Sequence, residues 1–294
     1  MQTQLTASVE TSEHTAHRLA DAFAERFGGE AAVSIVDAAN GRWQVTFYLS
    51  HTVDADAVRD VAVTARIAAS ELRFSRIAAA DWVKQSLAGL KPVAAGRFVV
   101  HGAHDRARVA PNRIGIEIEA ALAFGTGHHG TTRGCLLALD RICSTQGKRP
   151  HIRRILDLGT GSGVLAIAAA RSLHRHVLAT DIDPQAVHAA RANARRNGVG
   201  AMIEVVRADG VSRLHRRGPF DLVFANILLA PLQRFAAALT QCLAPGADVV
   251  LSGILPAQAG AIIAAYHRLT LQRRMDCDGW TTLVFARPAT LPSR

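Results

Sequence analysis

From about residue 150 onward, short apolar segments alternate with amphipathic segments of helical period. The apolar segments are RRILDLG, HVLATD, IEVVRAD, DLVFAN and ADVVLSG, and the helical ones between them are GVLAIAAARSL, PQAVHAARANARRN, LAPLQRFAAALTQCL and PAQAGAIIAAYHR. Apolar strands separated by amphipathic helices predict a mostly parallel sheet that is covered by helices on both faces. Two strand-like segments end the pattern without a helix between them, and we expect this last pair to be antiparallel.

Residues 1–80 follow a different pattern, in the order β-α-β-β-α-β. An Asn40-Gly41 turn joins the second and third strands, and Thr11 or Ser12 is the expected N-cap of the first helix. This order predicts a small α+β domain of the split βαβ, ferredoxin-like type. We expect residues 81–100 to form a linker helix and hinge, and residues 101–294 to form the second domain.

A glycine-rich segment, DLGTGSG at residues 157–163, lies between a predicted strand and a predicted helix. Glycines allow a tight turn and close approach of a ligand, and the helix N-terminus offers free N–H groups, so the segment predicts a nucleotide-binding loop. The pattern Gly161-x-Gly163-x-x-Ala166 also fits a dinucleotide site. Asp157, however, would repel a pyrophosphate, and it favours the cationic, phosphate-free S-adenosylmethionine. We therefore expect Asp157, Gly159 and Gly161 to contact that ligand.

Three further aspartates follow the next two strands. Asp181 ends the strand HVLAT, where a carboxylate can accept both hydroxyl groups of a ribose. Asp183 precedes Pro184 and is expected to be an N-cap rather than a ligand-binding residue. Asp209 ends the strand IEVVR and is either an acceptor for the adenine amino group or a turn residue.

Asn226 ends the strand FDLVFAN, at the edge where open α/β sheets bind their ligands. A neutral amide can orient the lone pair of an amine without holding that amine protonated, so Asn226 is the candidate catalytic residue. The alternative is that Asn226 only caps the following helix.

The segment AFGTGHHGTT, residues 123–132, combines three glycines with hydroxyl groups and two adjacent histidines. We expect it to form a loop that precedes a helix and closes over a bound ligand. Consecutive histidine rings do not converge readily on one ion and no third ligand is spaced nearby, so no metal is expected.

These motifs together resemble the class I S-adenosylmethionine-dependent methyltransferases, and more narrowly the PrmA family, over most of the chain. AFGTGHHGTT is similar to that family's AFGTGTHPTT, with Gly130 in place of the proline. The segments ILDLGTGSGVLAIAA, DIDPQAV, ARANARRNGV, VFANILLAPL, LSGIL and GWTTLVFAR follow in the family's order.

The resemblance implies a Rossmann-like domain, with a mostly parallel seven-stranded sheet and an antiparallel last strand, behind a substrate-recognition domain. It places contacts to the methyl donor at Thr132, Gly159, Asp181 and Asn226. The implied reaction is methylation of lysine side-chain amines, with the N-terminal α-amine as a further target, on ribosomal protein eleven of the large subunit.

Composition narrows the remaining possibilities. No apolar segment is long enough to span a membrane, the N-terminus lacks a signal-peptide pattern, and the four cysteines form no CxxC pair, so we expect a cytoplasmic protein without membrane contact. We also expect it to be a monomer. The net charge of +10 is compatible with weak contact with ribosomal RNA.

Three other functions stay open. The basic balance allows an RNA methyltransferase, although the segment Asn226-Ile227-Leu228 lacks the aromatic residue that would stack on a planar target. The glycine pattern allows a nicotinamide oxidoreductase, which Asp157 disfavours. A non-catalytic module that binds ribonucleoprotein is the third, and the intact set of candidate site residues argues against it.

Overall fold

The chain divides into two compact units, residues 1–90 and 91–294, each with its own hydrophobic core. The structure is a computed structural model, and it describes residues 3–27, 31–37, 42–49, 54–64, 67–78, 92–118, 129–145, 152–211 and 214–289. The helix predicted to begin the linker lies outside the described residues. The predicted linker ends at residue 100. Residues 93–95 and 98–101, at its end, form strands of the second unit.

The first unit has the predicted order of elements. They are β1 (Thr3–Thr11), α1 (Glu13–Phe27), β2 (Ala31–Asp37), β3 (Trp43–Leu49), α2 (Ala55–Thr64) and β4 (Arg73–Ala78). The strands form one antiparallel sheet in the order β2-β3-β1-β4, the arrangement of a ferredoxin-like fold. Ser12 caps α1, because its hydroxyl accepts the N–H of Thr15.

Helix α1 packs an aromatic side chain on the sheet of this unit. Phe23 of α1 stacks on Phe47 of β3 with 4.1 Å between ring centroids, and both side chains are buried. Leu19, one turn earlier, lies in the same core. The helical period of the apolar residues therefore determines which face of α1 covers the sheet.

The second unit begins with a small sheet. The segments VVHGAH and NRIGIEIEAALAF read as extended in the sequence, but their pairing into a sheet was not predicted. The sheet consists of β5 (Val93–Ala95), β6 (Phe98–His101) and β7 (Ile114–Glu117), with β6 antiparallel to β5 and parallel to β7. Phe98 and Ile116 are fully buried and join the core that covers one face of the main sheet.

The main sheet has seven strands. Its elements and the helices around them are α3 (His129–Ser144), β8 (Ile155–Leu158), α4 (Val164–Leu173), β9 (Val177–Asp181), α5 (Pro184–Arg196), β10 (Ile203–Arg207), β11 (Phe220–Asn226), α6 (Leu229–Gln241), β12 (Leu243–Ile254), α7 (Ala259–Ala265), β13 (Thr270–Cys277) and β14 (Trp280–Ala286).

The strand order of this sheet is β10-β9-β8-β11-β12-β14-β13. Strands β8 to β12 pair in parallel, whereas β14 runs antiparallel to both of its neighbours. One core lies between the sheet and α3, α4 and α5, and a second lies between the opposite face and α6 and α7. The predicted class I fold, with helices on both faces and an antiparallel last strand, is confirmed.

Candidate active site

The carboxyl ends of four neighbouring strands carry most of the predicted site residues. Asp209 follows β10, Asp181 ends β9, the glycine-rich loop follows β8, and Asn226 ends β11. Because these four strands are parallel and adjacent, the residues follow one another along a single edge of the sheet. We call this edge the carboxyl edge.

The glycine-rich loop depends on backbone conformations that favour glycine. Gly159, Gly161 and Gly163 have φ values of 71°, 53° and 83°. A Cβ on Gly159 would also overlap the side chain of Ile227. The amides of Gly159 and Thr160 donate to the carbonyl of Thr180, at 2.8 and 2.9 Å, which ties the loop to β9.

Asp157 lies beneath this loop and is 1% exposed. The Thr160 hydroxyl and the Ala166 amide both donate to its Oδ2, at 2.6 and 3.1 Å. Burial raises the pKa of Asp157 to about 6, although these two hydrogen bonds act in the opposite direction. Asp157 therefore joins the end of β8 to the start of α4 and introduces a buried carboxyl group next to the loop.

Asp181 links the glycine-rich loop to the start of the next helix. Its Oδ2 accepts the amide of Gly161 at 2.8 Å, and its Oδ1 accepts the amide of Asp183 at 3.0 Å. Each carboxylate oxygen keeps further acceptor capacity for a ligand hydroxyl. Asp183 is the N-cap of α5, as predicted, since it accepts the amide of Gln185 and precedes Pro184.

Asp209 lies in the exposed turn after β10. The amide of its neighbour Ala208 donates to the carbonyl of Asp181, at 2.9 Å, so this turn is fixed against the end of β9. Gly210, with φ 70°, follows directly and approaches the ring of Phe235. The placement is compatible with both of the roles that the sequence left open for Asp209.

Asn226 contacts a residue that the sequence did not single out. Its Nδ2 donates to Oγ1 of Thr131 in α3, at 3.3 Å. Thr131 is 4% exposed and Thr132 is 8% exposed, so both hydroxyl-bearing residues lie inside the fold. With its amide nitrogen bound to Thr131, Asn226 keeps its amide oxygen available as an acceptor.

Helix α3 begins earlier than predicted. The sequence predicted a loop over residues 123–132, but the helix starts at His129 and includes Gly130, Thr131 and Thr132 in its first turn. Residues 119–128 lie outside the described residues, so the expected closure of this loop over a ligand remains a prediction.

Gly130 has a packing role. A Cβ at this position would overlap the carbonyl oxygen of Cys277 and would lie 2.9 Å from the ring of Trp280, both in the β13–β14 hairpin. Glycine therefore lets this hairpin approach the first turn of α3, where the family pattern has a proline.

Two exposed apolar residues complete the carboxyl edge. Ile182, directly after Asp181, is 59% exposed, and Leu228, two positions after Asn226, is 71% exposed. Both side chains are therefore accessible to a ligand that binds at this edge. The sequence signal is a large apolar residue within two positions of the polar residue that ends each strand.

No group of three or more His, Cys, Asp or Glu side chains that could hold a metal ion occurs among the described residues. Likewise, none of the helices described here is long and apolar enough to cross a membrane.

The strand order, the glycine-rich loop and the row of polar residues along the carboxyl edge define the chain as a class I methyltransferase by fold. A model of the ribosomal protein L11 methyltransferase family (PrmA) matches residues 5–288. The chain belongs to this family.

Proteins of similar sequence match this chain over nearly its full length. The ribosomal protein L11 methyltransferase of Bradyrhizobium diazoefficiens is 51% identical over 283 residues, which cover 94% of this chain and 95% of that protein. The enzyme of the same name from Rhizobium etli strain CFN 42 is 45% identical and covers 95% and 98%. A crystal structure of ribosomal protein L11 methylase from Lactobacillus delbrueckii subsp. bulgaricus has a TM-score of 0.59 at 28% identity and covers 67% of this chain and 98% of that one.

Proposed function

We propose that this protein transfers methyl groups from S-adenosylmethionine to lysine side-chain amines of ribosomal protein L11, with the N-terminal α-amine as a further target. The observation that carries the proposal is the row Asp181, glycine-rich loop and Asn226 along one sheet edge, in a chain that belongs to the L11 methyltransferase family. The substrate follows from the names of its relatives.

The carboxyl edge fits the methyl donor by its chemistry. Two carboxylates, those of Asp157 and Asp181, hydrogen-bond to the glycine-rich loop. Carboxylates suit a ligand that carries an ammonium and a sulfonium, and they disfavour a pyrophosphate. When bound, S-adenosylmethionine supplies a methyl group on a positively charged sulfur, which is a good leaving group.

We assign the binding contacts by position along the edge. Asp181 would accept the ribose hydroxyls, and exposed Ile182 would cover one face of the base. Gly159 and Gly161 would let the loop backbone approach the ligand, and Asp209 would accept from the adenine amino group. For the remaining predicted residues, Asp157 would hold the loop and offer a carboxylate, and Thr132 would line the site from α3.

Asn226 is the residue that we assign to the amine. Its amide oxygen can accept an N–H of the amine and aim the nitrogen lone pair along the transfer direction, which is catalysis by orientation. An ordinary lysine amine has a pKa of about 10.4, so the proton must leave before the nitrogen can attack. The apolar side chains of Ile227 and Leu228 next to Asn226 would lower that pKa by desolvation once the substrate covers them. Nitrogen then gains the methyl group as the bond from that methyl to sulfur breaks.

The first unit is the proposed recognition domain for L11. Its core is formed within residues 7–72 and is separate from the cores of the second unit. We expect a chain that starts at residue 91 to bind S-adenosylhomocysteine with unchanged affinity and to lose methylation of L11. Unchanged methylation by the shortened chain would contradict this role. Because its proposed substrate is a ribosomal protein, we also propose that the protein acts in the cytoplasm.

The function is tested with labelled S-adenosylmethionine and two acceptors in parallel, purified L11 and protein-free ribosomal RNA. We expect label on amines of L11, located by mass spectrometry, and none on RNA. Label on RNA alone would favour an RNA methyltransferase. Calorimetry with S-adenosylhomocysteine and with NADH tests the oxidoreductase alternative, and we expect heat of binding only from the first ligand.

A further inference from the structure

The opposite edge of the main sheet carries a cluster of exposed arginines. Arg153 and Arg154 directly precede β8, Arg175 precedes β9, and Arg216 and Arg217 precede β11. These three strands are parallel and adjacent in the order β9-β8-β11, so their preceding turns meet at one edge. We call these five residues the amino-edge arginine surface.

A cavity of about 370 Å³ lies within this surface. Arg153, Arg154, Arg217 and His176 line it together with one carboxylate, Glu204. Its size is within the range of small-ligand sites, and its charged lining is mostly cationic. The cavity is lined by the beginnings of β8, β9, β10 and β11, and it is therefore separate from the carboxyl edge.

Two of the five guanidinium groups are held by neutral partners. Arg154 donates through Nη1 to the carbonyl of Gly218 at 2.8 Å, and Arg175 donates through Nε to the carbonyl of Ile152 at 3.2 Å. A carbonyl fixes a guanidinium without cancelling its charge, and it leaves other N–H groups free to donate.

Among the described residues, two carboxylates contact these five arginines. Glu204 forms an ion pair with Arg217. Asp221 Oδ2 accepts the backbone amides of Arg153 and Arg154, at 2.8 and 2.9 Å, rather than their side chains. The surface therefore keeps a net positive charge, and its arginines are partly preorganised.

We infer that the amino-edge arginine surface binds the phosphate backbone of RNA. A guanidinium matches a phosphate by two parallel N–H donors, and a row of guanidiniums across three strands suits a linear polyanion. The aromatic residue lining the cavity, Phe220, is 2% exposed and offers no face on which a base could stack, so binding should not depend on sequence. The choice of RNA among polyanions rests on the proposed function, because the substrate is a ribosomal protein.

The amino-edge arginine surface and the candidate active site lie at opposite edges of the main sheet. Phosphate would be bound at the amino edge, while Asp181 and Asn226 lie at the opposite ends of the same parallel strands. Bound RNA would therefore leave the candidate active site open, and it would hold the enzyme near nascent ribosomal particles without competing for the methyl donor.

The test is the salt dependence of RNA binding, measured by fluorescence anisotropy with a short labelled single-stranded RNA and no methyl donor. The variant is Arg153→Gln with Arg216→Gln, since neither side chain forms a hydrogen bond among the described residues. The matched control is Arg141→Gln with Arg273→Gln, which removes two exposed arginines of the same unit from α3 and β13. Thermal unfolding and S-adenosylhomocysteine binding verify that every variant is folded.

We expect the wild type to bind RNAs of unrelated sequence alike. Loss of two phosphate contacts should reduce the slope of log K against log salt by about 1.4, since each contact on a single strand contributes about 0.7. The control should keep the wild-type slope. Absence of RNA binding, an equal loss in both double variants, or equal competition by polyglutamate would overturn the inference. RNA binding is measured without methyl transfer, so its failure is distinguishable from failure of the proposed function.

Discussion

Asn226 at the end of β11 donates its amide nitrogen to the hydroxyl of Thr131 in the first turn of α3, at 3.3 Å. This bond joins two segments that are far apart in sequence, and it determines which way the amide of Asn226 faces. The oxygen of that amide is then the atom available to a substrate amine. Thr131 is accordingly a positioning residue in the proposed mechanism.

Replacement of this hydroxyl should reduce turnover without reducing binding of the methyl donor. We expect Thr131→Val to lower kcat by about fivefold, because loss of a hydrogen bond worth about 1 kcal/mol lets the amide rotate. Thr131→Ser keeps the hydroxyl and should restore most of the rate. The measurement is steady-state methyl transfer to L11 together with the Kd of S-adenosylhomocysteine. A Thr131→Val enzyme with wild-type kcat would show that the bond has no role in orientation.

The backbone conformation of Gly159 leads to a second prediction. Gly159→Ala should weaken S-adenosylhomocysteine binding and destabilise the fold by about 1–3 kcal/mol, because φ is 71° and the new methyl group would overlap Ile227. Gly198→Ala is the matched control, since Gly198 has φ 70° but no atom within 4 Å of the added Cβ. We expect the control to lose stability through backbone strain alone and to bind the ligand normally. Equal binding by both variants would argue against close ligand approach at Gly159.

Substitution of Asp181 should weaken ligand binding, whereas substitution of Asp183 should not. Asp181→Asn should weaken S-adenosylhomocysteine binding by about 10–100-fold, because one acceptor for the ribose hydroxyls becomes a donor and the charge is lost. Asp183→Asn should change little, since asparagine is an equally good N-cap for α5. Calorimetry measures both affinities. A larger loss in the Asp183 variant would reverse the assignment.

The buried carboxyl of Asp157 should make stability depend on pH. Burial raises its pKa from the ordinary 3.8 to about 6, so the folded state binds this proton more tightly than the unfolded state does. The resulting stabilisation is fully present below about pH 4 and is lost as the pH rises through about 6.

Asp157→Asn imitates the neutral carboxyl and keeps an oxygen for the Thr160 and Ala166 donors. At pH 7.5 we expect this variant to have a free energy of unfolding up to about 3 kcal/mol larger than that of the wild type, and therefore a higher unfolding temperature. Near pH 4 the two proteins should differ little. The variant should also bind the methyl donor more weakly, since the carboxylate charge is gone. A difference in unfolding temperature that is constant across this pH range would contradict a titration of Asp157.

Features set by neighbouring residues could be predicted from the sequence. Asp183 and Pro184 indicated the start of α5, and the spacing of apolar residues indicated the parallel sheet, because capping and hydrophobic period are local. The carboxyl-edge placement of Asp181 and Asn226 followed from the topology alone.

Features that depend on contacts between distant segments could not be predicted. The partnership of Thr131 with Asn226 and the approach of the β13–β14 hairpin to Gly130 leave no periodic signal in either segment. The pairing of β5, β6 and β7 into one sheet could not be predicted, because strands of three or four residues are too short to show an alternation.

The central claim is that Asn226 at the carboxyl edge supports methyl transfer to amines of L11. The most direct measurement is transfer of labelled methyl groups to purified L11 by the wild type and by Asn226→Ala, with S-adenosylhomocysteine affinity measured on the same preparations. We predict label on L11 amines with the wild type and a loss of at least about 100-fold in rate with the variant, while a folded variant still binds the ligand. Transfer at the wild-type rate by Asn226→Ala, or no transfer to L11 by a wild type that binds the methyl donor, would contradict the account.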